Sequence, residues 1–292
     1  MDFTLGIDSE LIGSTPKGML WPHQCGLEQE RTSTKDVFDW HADGFAWELC
    51  VAPASEPAQV VQHAAQGLTA LWKEYGFRAL HGPSLYRVPQ AVYAGAPEDV
   101  TKLGCMPSYN VYNDRAIPGL LPKTTRSTGC HLHIASPSIN KDNFQHIVKW
   151  ADLFVGNTWT YISGEPIVDE RKRRRSYGRA GEYRVRFYDD AKTLLGIEYR
   201  VLPGMVLHHP AYLHLMLHLL VEATAQAIEN GAPEEAWTDE ARDNINRANR
   251  IGASYVYEDL NCFGPSVTEQ VEAVRKIKAR GFRLDPWLNV QK

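Results

Sequence analysis

The chain has 292 residues, of which 43% are hydrophobic, and its formal net charge is −4. This length suffices to bury a core, and the acidic balance argues against general attraction to nucleic acid. The five cysteines form no Cys-x-x-Cys pair, so neither a zinc knuckle nor a disulfide framework is favoured. The N-terminus lacks a signal-peptide pattern, and His214, His218 and Glu222 interrupt the longest apolar stretch. We therefore expect a cytoplasmic protein that does not enter a membrane.

The apolar spacing places strands mainly in the first part of the chain and helices mainly in the last. In chain order the predicted elements are strands at 3–11 and 44–51, a helix at 56–75, an ordered loop region at 86–112, a strand at 130–135, a helix at 141–162, a strand at 196–202, and helices at 210–230, 234–250 and 267–280. This arrangement predicts an α+β fold with an antiparallel sheet. We expect a single domain over 1–292, with a sheet-forming core at about 1–205 and a helical part at about 206–292.

Three predicted strands each carry two ionisable residues at positions i and i+2, which point to the same face of a strand. One such pair alone is typical of a strand whose polar face lies in water. Solvated strands favour threonine, lysine and serine, however, whereas this set contains only acids, histidine and arginine. Together the pairs therefore indicate a functional face. They are Asp8 with Glu10, His131 with His133, and Glu198 with Arg200.

A fourth predicted strand adds a carboxylate in apolar surroundings. Glu48 lies between Trp47 and Leu49, and Asp43 precedes it in a turn that contains a glycine. A buried carboxylate costs free energy unless it is paired or binds a metal. The sequence is equally consistent with a Glu48 that faces solvent while Trp47, on the other side of the strand, is buried. Because carboxylates outnumber histidines here and no cysteine accompanies them, the ligand set suits Mg²⁺ or Mn²⁺ better than zinc.

The arginines near the later strands suit anion binding. Arg184, Arg186 and Arg200 lie in or beside strands, where a guanidinium can bind phosphate or carboxylate through two hydrogen bonds. The basic run from Arg171 to Arg175 is equally consistent with a solvated loop and with a nucleic-acid patch. Residues 176–181 have the glycines of a loop that covers a site, and they match neither a Walker A loop nor a dinucleotide fingerprint.

Five segments occur in the order GIDSE, ELCVAPA, GCHLHI, YGRAGEYRVR and GIEYRVLPG. This ordered set resembles the phage-type carboxylate–amine ligases (type 2), within the superfamily of glutamine synthetase and glutamate–cysteine ligase. The likeness covers about residues 4–205, and the C-terminal helices agree in character only. It implies a glutamine synthetase-like curved antiparallel β-sheet with helices packed on its convex side. The concave face would bind ATP with two or three Mg²⁺ (or Mn²⁺) ions.

The resemblance also implies roles for individual residues. The metal ligands would be Asp8, Glu10, Asp43, Glu48, His131 and Glu198. The ATP phosphates would contact His133, Arg184, Arg186 and Arg200, and the catalytic set would be Arg184, Arg200 and Glu198. The segment GCMPSYNVYN resembles a family loop, which makes Tyr109, Asn110 and Tyr112 candidate substrate contacts. Two departures are Asp8, where many relatives carry glutamate, and a longer connection, YDDAKTLL, before Gly196.

Such an enzyme would use ATP to phosphorylate a carboxylate and would then let an amine displace the phosphate, forming an amide or isopeptide bond. Asp43 and His133 are candidates for the general base. Two alternatives remain open: a phosphotransferase of the same fold that stops at a phosphorylated guanidine or carboxylate, and a nucleic-acid-binding protein that uses the run from Arg171 to Arg175.

The resemblance also indicates the partners. The expected substrates are a small-molecule amine and a carboxylate, and a peptide or a modified nucleobase is a further candidate acceptor. A homo-oligomer is compatible with the sequence, and a phage-encoded enzyme would act in the cytoplasm of its host. Replacement of Glu198 by glutamine is expected to abolish amine-dependent ADP release and to leave the fold intact.

Overall fold

A computed structural model describes residues 2–27, 37–102, 108–113, 121–164, 166–187, 194–260, 265–277 and 282–291. The strands are β1 (Thr4–Thr15), β2 (Gly18–Leu20), β3 (Phe38–Asp43), β4 (Ala46–Val51), β5 (Ala79–His81), β6 (Tyr86–Arg87), β7 (Tyr109–Asn110), β8 (Thr125–Arg126), β9 (Cys130–Ala135), β10 (Glu182–Phe187) and β11 (Leu195–Leu202). The α-helices are α1 (Pro57–Tyr75), α2 (Gln90–Gly95), α3 (Glu98–Thr101), α4 (Phe144–Ala151), α5 (Asn157–Ile162), α6 (Ile167–Ser176), α7 (Pro210–Asn230), α8 (Glu235–Arg247), α9 (Arg250–Leu260), α10 (Pro265–Arg275) and α11 (Leu284–Leu288). The predicted α+β class is confirmed.

One large antiparallel sheet organises the described part of the chain. Its main strands follow the order β3-β4-β1-β9-β11-β10-β7, and β2 and β5 pair with the far end of β1. β6 and β8 form a separate two-stranded sheet. The long β1 strand therefore lies in the middle, between β4 on one side and β9 on the other.

The alternation of side chains along the strands gives the sheet one apolar face. Leu5 and Ile7 on β1, Leu132 on β9 and Ile197 on β11 are all almost completely buried. Helices α1, α4 and α7 contact the strands on this side. Each strand thus turns every second side chain toward the helices and the intervening ones away from them. The core lies between the sheet and these helices.

The helix predicted at 141–162 contains a wider turn that the sequence pattern did not predict. The chain is helical from Phe144 to Ile162, but Asp152–Gly156 forms a π-helical segment. The hydroxyl of Tyr199, on the apolar face of β11, donates a 2.8 Å hydrogen bond to Asp152 Oδ1. A Cβ atom on Gly156 would lie only 2.5 Å from that hydroxyl oxygen. The glycine and the wide turn together accommodate the tyrosine.

The buried Asp152 side chain leads to a prediction about pH. Burial raises the pKa of this carboxyl from 3.8 to about 7. Since the folded protein then keeps a proton that the unfolded chain releases, stability falls as pH rises from about 4 to about 7. Asp152→Asn cannot ionise and keeps an acceptor for Tyr199. As pH rises from about 4 to about 7, we therefore expect Asp152→Asn to become more stable relative to the unchanged protein. Above this range the difference between the two should stay constant. Urea denaturation at several pH values measures this, and a difference independent of pH would contradict it.

The basic run from Arg171 to Arg175 lies on helix α6, not in a loop. Its acidic first turn and basic last turn suit the helix dipole. Arg173 and Arg174 are buried, and both bind the carboxylate of Glu170 and the main-chain oxygen of Val201. The predicted loop is therefore wrong: two of the arginines pack inside the fold, whereas Arg171, Lys172 and Arg175 are exposed on the helix.

The C-terminal part is helical, as predicted, although the region around 234–250 is divided. Helix α8 ends at Arg247, and Ala248 adopts a left-handed conformation with φ 48°. A separate helix, α9, then begins at Arg250. Within the residues that the structure describes, no helix combines the length and the apolar character needed to cross a membrane.

Candidate functional site

The side of the sheet opposite the helices carries the ionisable residues, and we call it the polar face. Directly paired residues on antiparallel strands share a face. Glu10 pairs with Glu48, and Asp8 pairs with His131. The set continues across β11 and β10, because Glu198 pairs with both His133 and Arg184. The candidate residues on the polar face are Asp8, Glu10, Asp43, Glu48, His131, His133, Arg184, Arg186, Glu198 and Arg200. Asp39 and His41 on β3 also lie on this face, because they pair with Cys50 and Glu48.

The β3, β4 and β1 end of the polar face is acidic. Glu10 is buried, and its Oε2 atom accepts a 2.8 Å hydrogen bond from the main-chain N–H of Gly129. Burial raises the pKa of the Glu10 carboxyl well above its usual range, and the nearby charges of Asp43 and Glu48 raise it further. Several carboxylates thus crowd a space with little solvent. A cation placed there would relieve their repulsion.

The two histidines of β9 occupy the middle of the polar face. His133 Nε2 lies 3.1 Å from Asp8 Oδ2. His131 Nδ1 lies 3.5 Å from Glu198 Oε1, and its Nε2 contacts the hydroxyl of Tyr177. Burial, followed by the nearby charge of Arg200, lowers the pKa of His131 well below its usual range. His131 is therefore neutral near pH 7, which is the form that binds metals.

The β11 and β10 end of the polar face is basic. The buried carboxylate of Glu198 accepts from Arg186 Nε at 2.9 Å and from Arg184 Nη1 at 3.4 Å. It also accepts from Arg200 Nη1. Three guanidinium groups therefore converge on a single carboxylate. This excess of positive charge, held by strands, is suited to a phosphate or acyl-phosphate oxygen.

The acids and histidines fit a divalent cation. Ligand atoms of Asp8, Glu48 and His131 all lie within 4.8 Å of one another, as do those of Asp8, His133 and Glu198. Opposite ligands of an octahedral Mg²⁺ ion lie about 4.2 Å apart, so small shifts would close either group around one ion. Carboxylate oxygens with one imidazole also suit Mn²⁺. Because Glu198 is already bound by arginines, the first group fits a cation better.

The three candidate substrate contacts lie at the edge strand β7 or just beyond it, and they do not all reach the polar face. Tyr109 pairs with Tyr183, whose ring packs 5.7 Å from Phe144, so both tyrosines lie on the helix side of the sheet. Tyr112 also lies on that side. Burial raises the pKa of its hydroxyl, and the nearby carboxylate of Asp152 raises it further. Asn110 pairs with Glu182 and donates to the main-chain oxygen of Ala180. The structure therefore does not bring the tyrosines to the acids and arginines.

Tyr177 and Ser108 also join the site, and neither of them was predicted from the sequence as a site residue. The Tyr177 hydroxyl accepts a 3.0 Å hydrogen bond from Arg200 Nη2, and its ring lies under the same guanidinium. Ser108 Oγ accepts from Arg200 Nε at 3.0 Å. Tyr177 lies in the segment 176–181, whose glycines had indicated a covering loop. That signal located the segment but not the residue.

Comparison with known proteins gives distant structural likenesses. No protein-family model and no curated protein sequence matches the chain. One similar solved structure is the complex between prokaryotic ubiquitin-like protein Pup and its ligase PafA, with 12% identity and a TM-score of 0.43, covering 99% of this chain and 62% of that chain. Another is a bifunctional glutathione synthetase from Pasteurella multocida, with 11% identity and a TM-score of 0.38, covering 99% of this chain and 51% of that chain. The chain thus spans less than two thirds of either protein, and the function is inferred from the site.

Proposed function

We propose that this protein is an ATP- and Mg²⁺-dependent ligase that joins a carboxylate to an amine. The observation that carries the proposal is the division of charge on the polar face. On one side of β9, ligand atoms of Asp8 and Glu48 lie within 4.8 Å of each other. On the other side, three arginines converge on Glu198. A metal–triphosphate complex requires groups that bind a cation next to groups that bind an anion.

The residues of the polar face divide the work of the proposed reaction. Asp8, Glu48 and His131 would hold a divalent ion, with Glu10 and Asp43 close to them. When bound, such ions offset the charge of the triphosphate oxygens. Arg184 and Arg200 would offset the charge on the transferred phosphoryl group. Their positions on paired strands keep both groups fixed before the reaction, which lowers the cost of reorganisation.

The chemistry takes two balanced steps. An oxygen of the carboxylate substrate attacks the terminal phosphorus of ATP, and ADP leaves. The amine nitrogen then attacks the acyl carbon, the carbon–oxygen bond breaks, and phosphate leaves with the electron pair. The nitrogen loses a proton to a base, for which Asp43 and His133 are the candidates on this face.

The resemblance to the phage-type carboxylate–amine ligases supplies the finer parts of the proposal. These are the glutamine synthetase-like curvature of the sheet, a single ligase domain over the whole chain, and activity in the cytoplasm. The rival nucleic-acid role is less well supported by the site, because Arg173 and Arg174 are buried against Glu170.

An assay of the full chain tests the proposal. The protein is incubated with ATP, Mg²⁺ and pooled carboxylates and amines, and phosphate release is followed while one pool at a time is omitted. We expect release that requires both pools. Release of ADP without any amine would instead identify a phosphotransferase. Unchanged ATP with every pool of small molecules and peptides would contradict the ligase proposal.

A further inference from the structure

A second anion-attracting feature lies outside the polar face. A groove of about 520 Å³ runs between the two-stranded β6–β8 sheet and helix α6. Its cationic lining consists of Arg87, Lys172 and Arg175, and its other lining includes Tyr86 and Asp169. The volume falls within the range of substrate sites and exceeds what one carboxylate group requires.

Both walls of this groove are held in place by contacts. Tyr86 and Arg87 on β6 pair with Arg126 and Thr125 on β8. The Ser84 hydroxyl, just before β6, donates to the carboxylate of Glu170 on α6. Glu170 is in turn bound by the buried arginines of the same helix. The groove is therefore a built feature of the fold, and its cations project from anchored elements.

The positive charge of the groove is available to a ligand. Arg87, Lys172 and Arg175 are exposed. Among the residues that the structure describes, no carboxylate forms an ion pair with any of them. Among the lining residues that the structure describes, Asp169 is the one acid, so these residues carry a net excess of two positive charges. Because the chain as a whole has a net charge of −4, this local excess stands out.

The remaining lining favours a peptide-like chain over a nucleic acid. Leu121 and Pro122 supply apolar contacts. The ring of Tyr86 is only 8% exposed and is stacked 6.4 Å from Trp21, so it offers no open face to a base. Single-stranded nucleic acids depend on such stacking faces and on more phosphate contacts than three cations provide. Aliphatic groups that alternate with carboxylates match this lining better.

The groove adjoins the acidic end of the polar face. The segment that follows β8 joins the two regions: Thr128 Oγ1 donates a 2.7 Å hydrogen bond to the main-chain oxygen of Pro83, just before β6, and the N–H of the next residue, Gly129, donates to Glu10 Oε2. The wall of the groove is therefore only a few residues from a carboxylate of the acidic end. A molecule bound in the groove would therefore have one end near the proposed metal ligands.

We infer that this groove binds a substrate carrying several carboxylates along a short chain, an acidic peptide segment, and directs it toward the polar face. Arg87, Lys172 and Arg175 pair with its carboxylates, and Leu121 and Pro122 contact its aliphatic parts. The inference rests on the proposed function for the role of this molecule as a substrate. The binding step itself requires neither ATP nor metal.

Binding of fluorescein-labelled pentaglutamate tests the inference. Fluorescence anisotropy is measured with the full chain at low salt, without ATP or metal. Arg175→Glu is compared with Arg171→Glu, which changes the charge equally on the same helix. Arg171 directs its guanidinium to the main-chain oxygen of Arg247, and it does not line the groove. Thermal denaturation of both variants checks folding, and Lys172→Glu serves as a second groove variant.

We expect pentaglutamate to bind the unchanged protein and both groove variants to weaken it about tenfold or more, with Arg171→Glu changing it about twofold at most. Equal weakening by Arg175→Glu and Arg171→Glu would overturn the inference, as would absence of binding. Tighter binding of an oligothymidylate or of inorganic tripolyphosphate, lost in the groove variants, would overturn it in favour of a phosphate ligand. Because the assay omits ATP, failure of the ligase proposal would be seen separately in the turnover assay.

Discussion

Glu198→Gln is expected to lower the free energy of unfolding by about 3–5 kcal/mol, because it leaves buried guanidinium charge without its carboxylate. Glu198 is fully buried, and Arg184, Arg186 and Arg200 all bind it. Glutamine keeps the shape of the side chain but removes the negative charge and one acceptor oxygen. Urea denaturation without ATP or metal measures the loss. The sequence had suggested that this substitution would spare the fold, and the converging arginines change that expectation.

A matched surface substitution serves as the control. Glu222→Gln removes an equal charge from helix α7, where the carboxylate lies 4.0 Å from His218 and is partly exposed. We expect it to change stability by about 0.5 kcal/mol or less. The double variant Glu198→Gln with Arg200→Gln should recover part of the lost stability, since one unpaired charge is removed. A Glu198→Gln protein within about 1 kcal/mol of the unchanged one would show that the arginines do not need this carboxylate.

Asp8→Asn is expected to reduce ATP-dependent turnover about a thousandfold, equivalent to about 4 kcal/mol of lost transition-state stabilisation, with little change in stability. Asp8 belongs to both groups that fit a cation. Asparagine is nearly identical in shape and can still contact His133, and it removes one charge from a crowded acidic region. Steady-state phosphate release and thermal denaturation without metal measure the two effects.

The control for Asp8→Asn is Asp239→Asn on helix α8, outside the sheet, where the exposed carboxylate lies 3.6 Å from Arg242 Nη1. We expect its turnover to remain within about twofold of the unchanged protein. Equal turnover in Asp8→Asn and the unchanged protein would remove Asp8 from the reaction. A large loss of stability in Asp8→Asn would instead show that this carboxylate serves mainly to hold the fold.

The local pattern of the sequence predicts much of the polar face. Because side chains alternate along a strand, the sequence predicts that Asp8 and Glu10 share a face and that His131 and His133 share a face. The observed pairing of the strands agrees with this prediction. What alternation cannot supply is the neighbour of each strand. β1 and β9 are more than a hundred residues apart in sequence, and only the fold pairs Asp8 with His131. Long-range pairing of this kind depends on the whole core, not on a local segment.

Two other features show why the local sequence does not predict every contact. Tyr109 lies within the segment that resembles a family substrate loop, yet its pairing with Tyr183 turns it to the helix side of the sheet. Arg173 and Arg174 look like surface charge in the sequence, because their hydrogen-bond partners include the main-chain oxygen of Val201 on a distant strand. Side-chain partners four residues away can be guessed, whereas main-chain partners at long range cannot.

Binding of Mn²⁺ by the full chain, followed by the electron paramagnetic resonance signal of the free ion, tests the central claim most directly. That claim is that the acids and histidines of the polar face hold a divalent cation. We predict that the unchanged protein takes up Mn²⁺, that Mg²⁺ displaces it, and that Asp8→Asn weakens uptake about tenfold or more while Asp239→Asn does not. Equal Mn²⁺ uptake by the unchanged protein and Asp8→Asn, or no uptake by either, would contradict the claim.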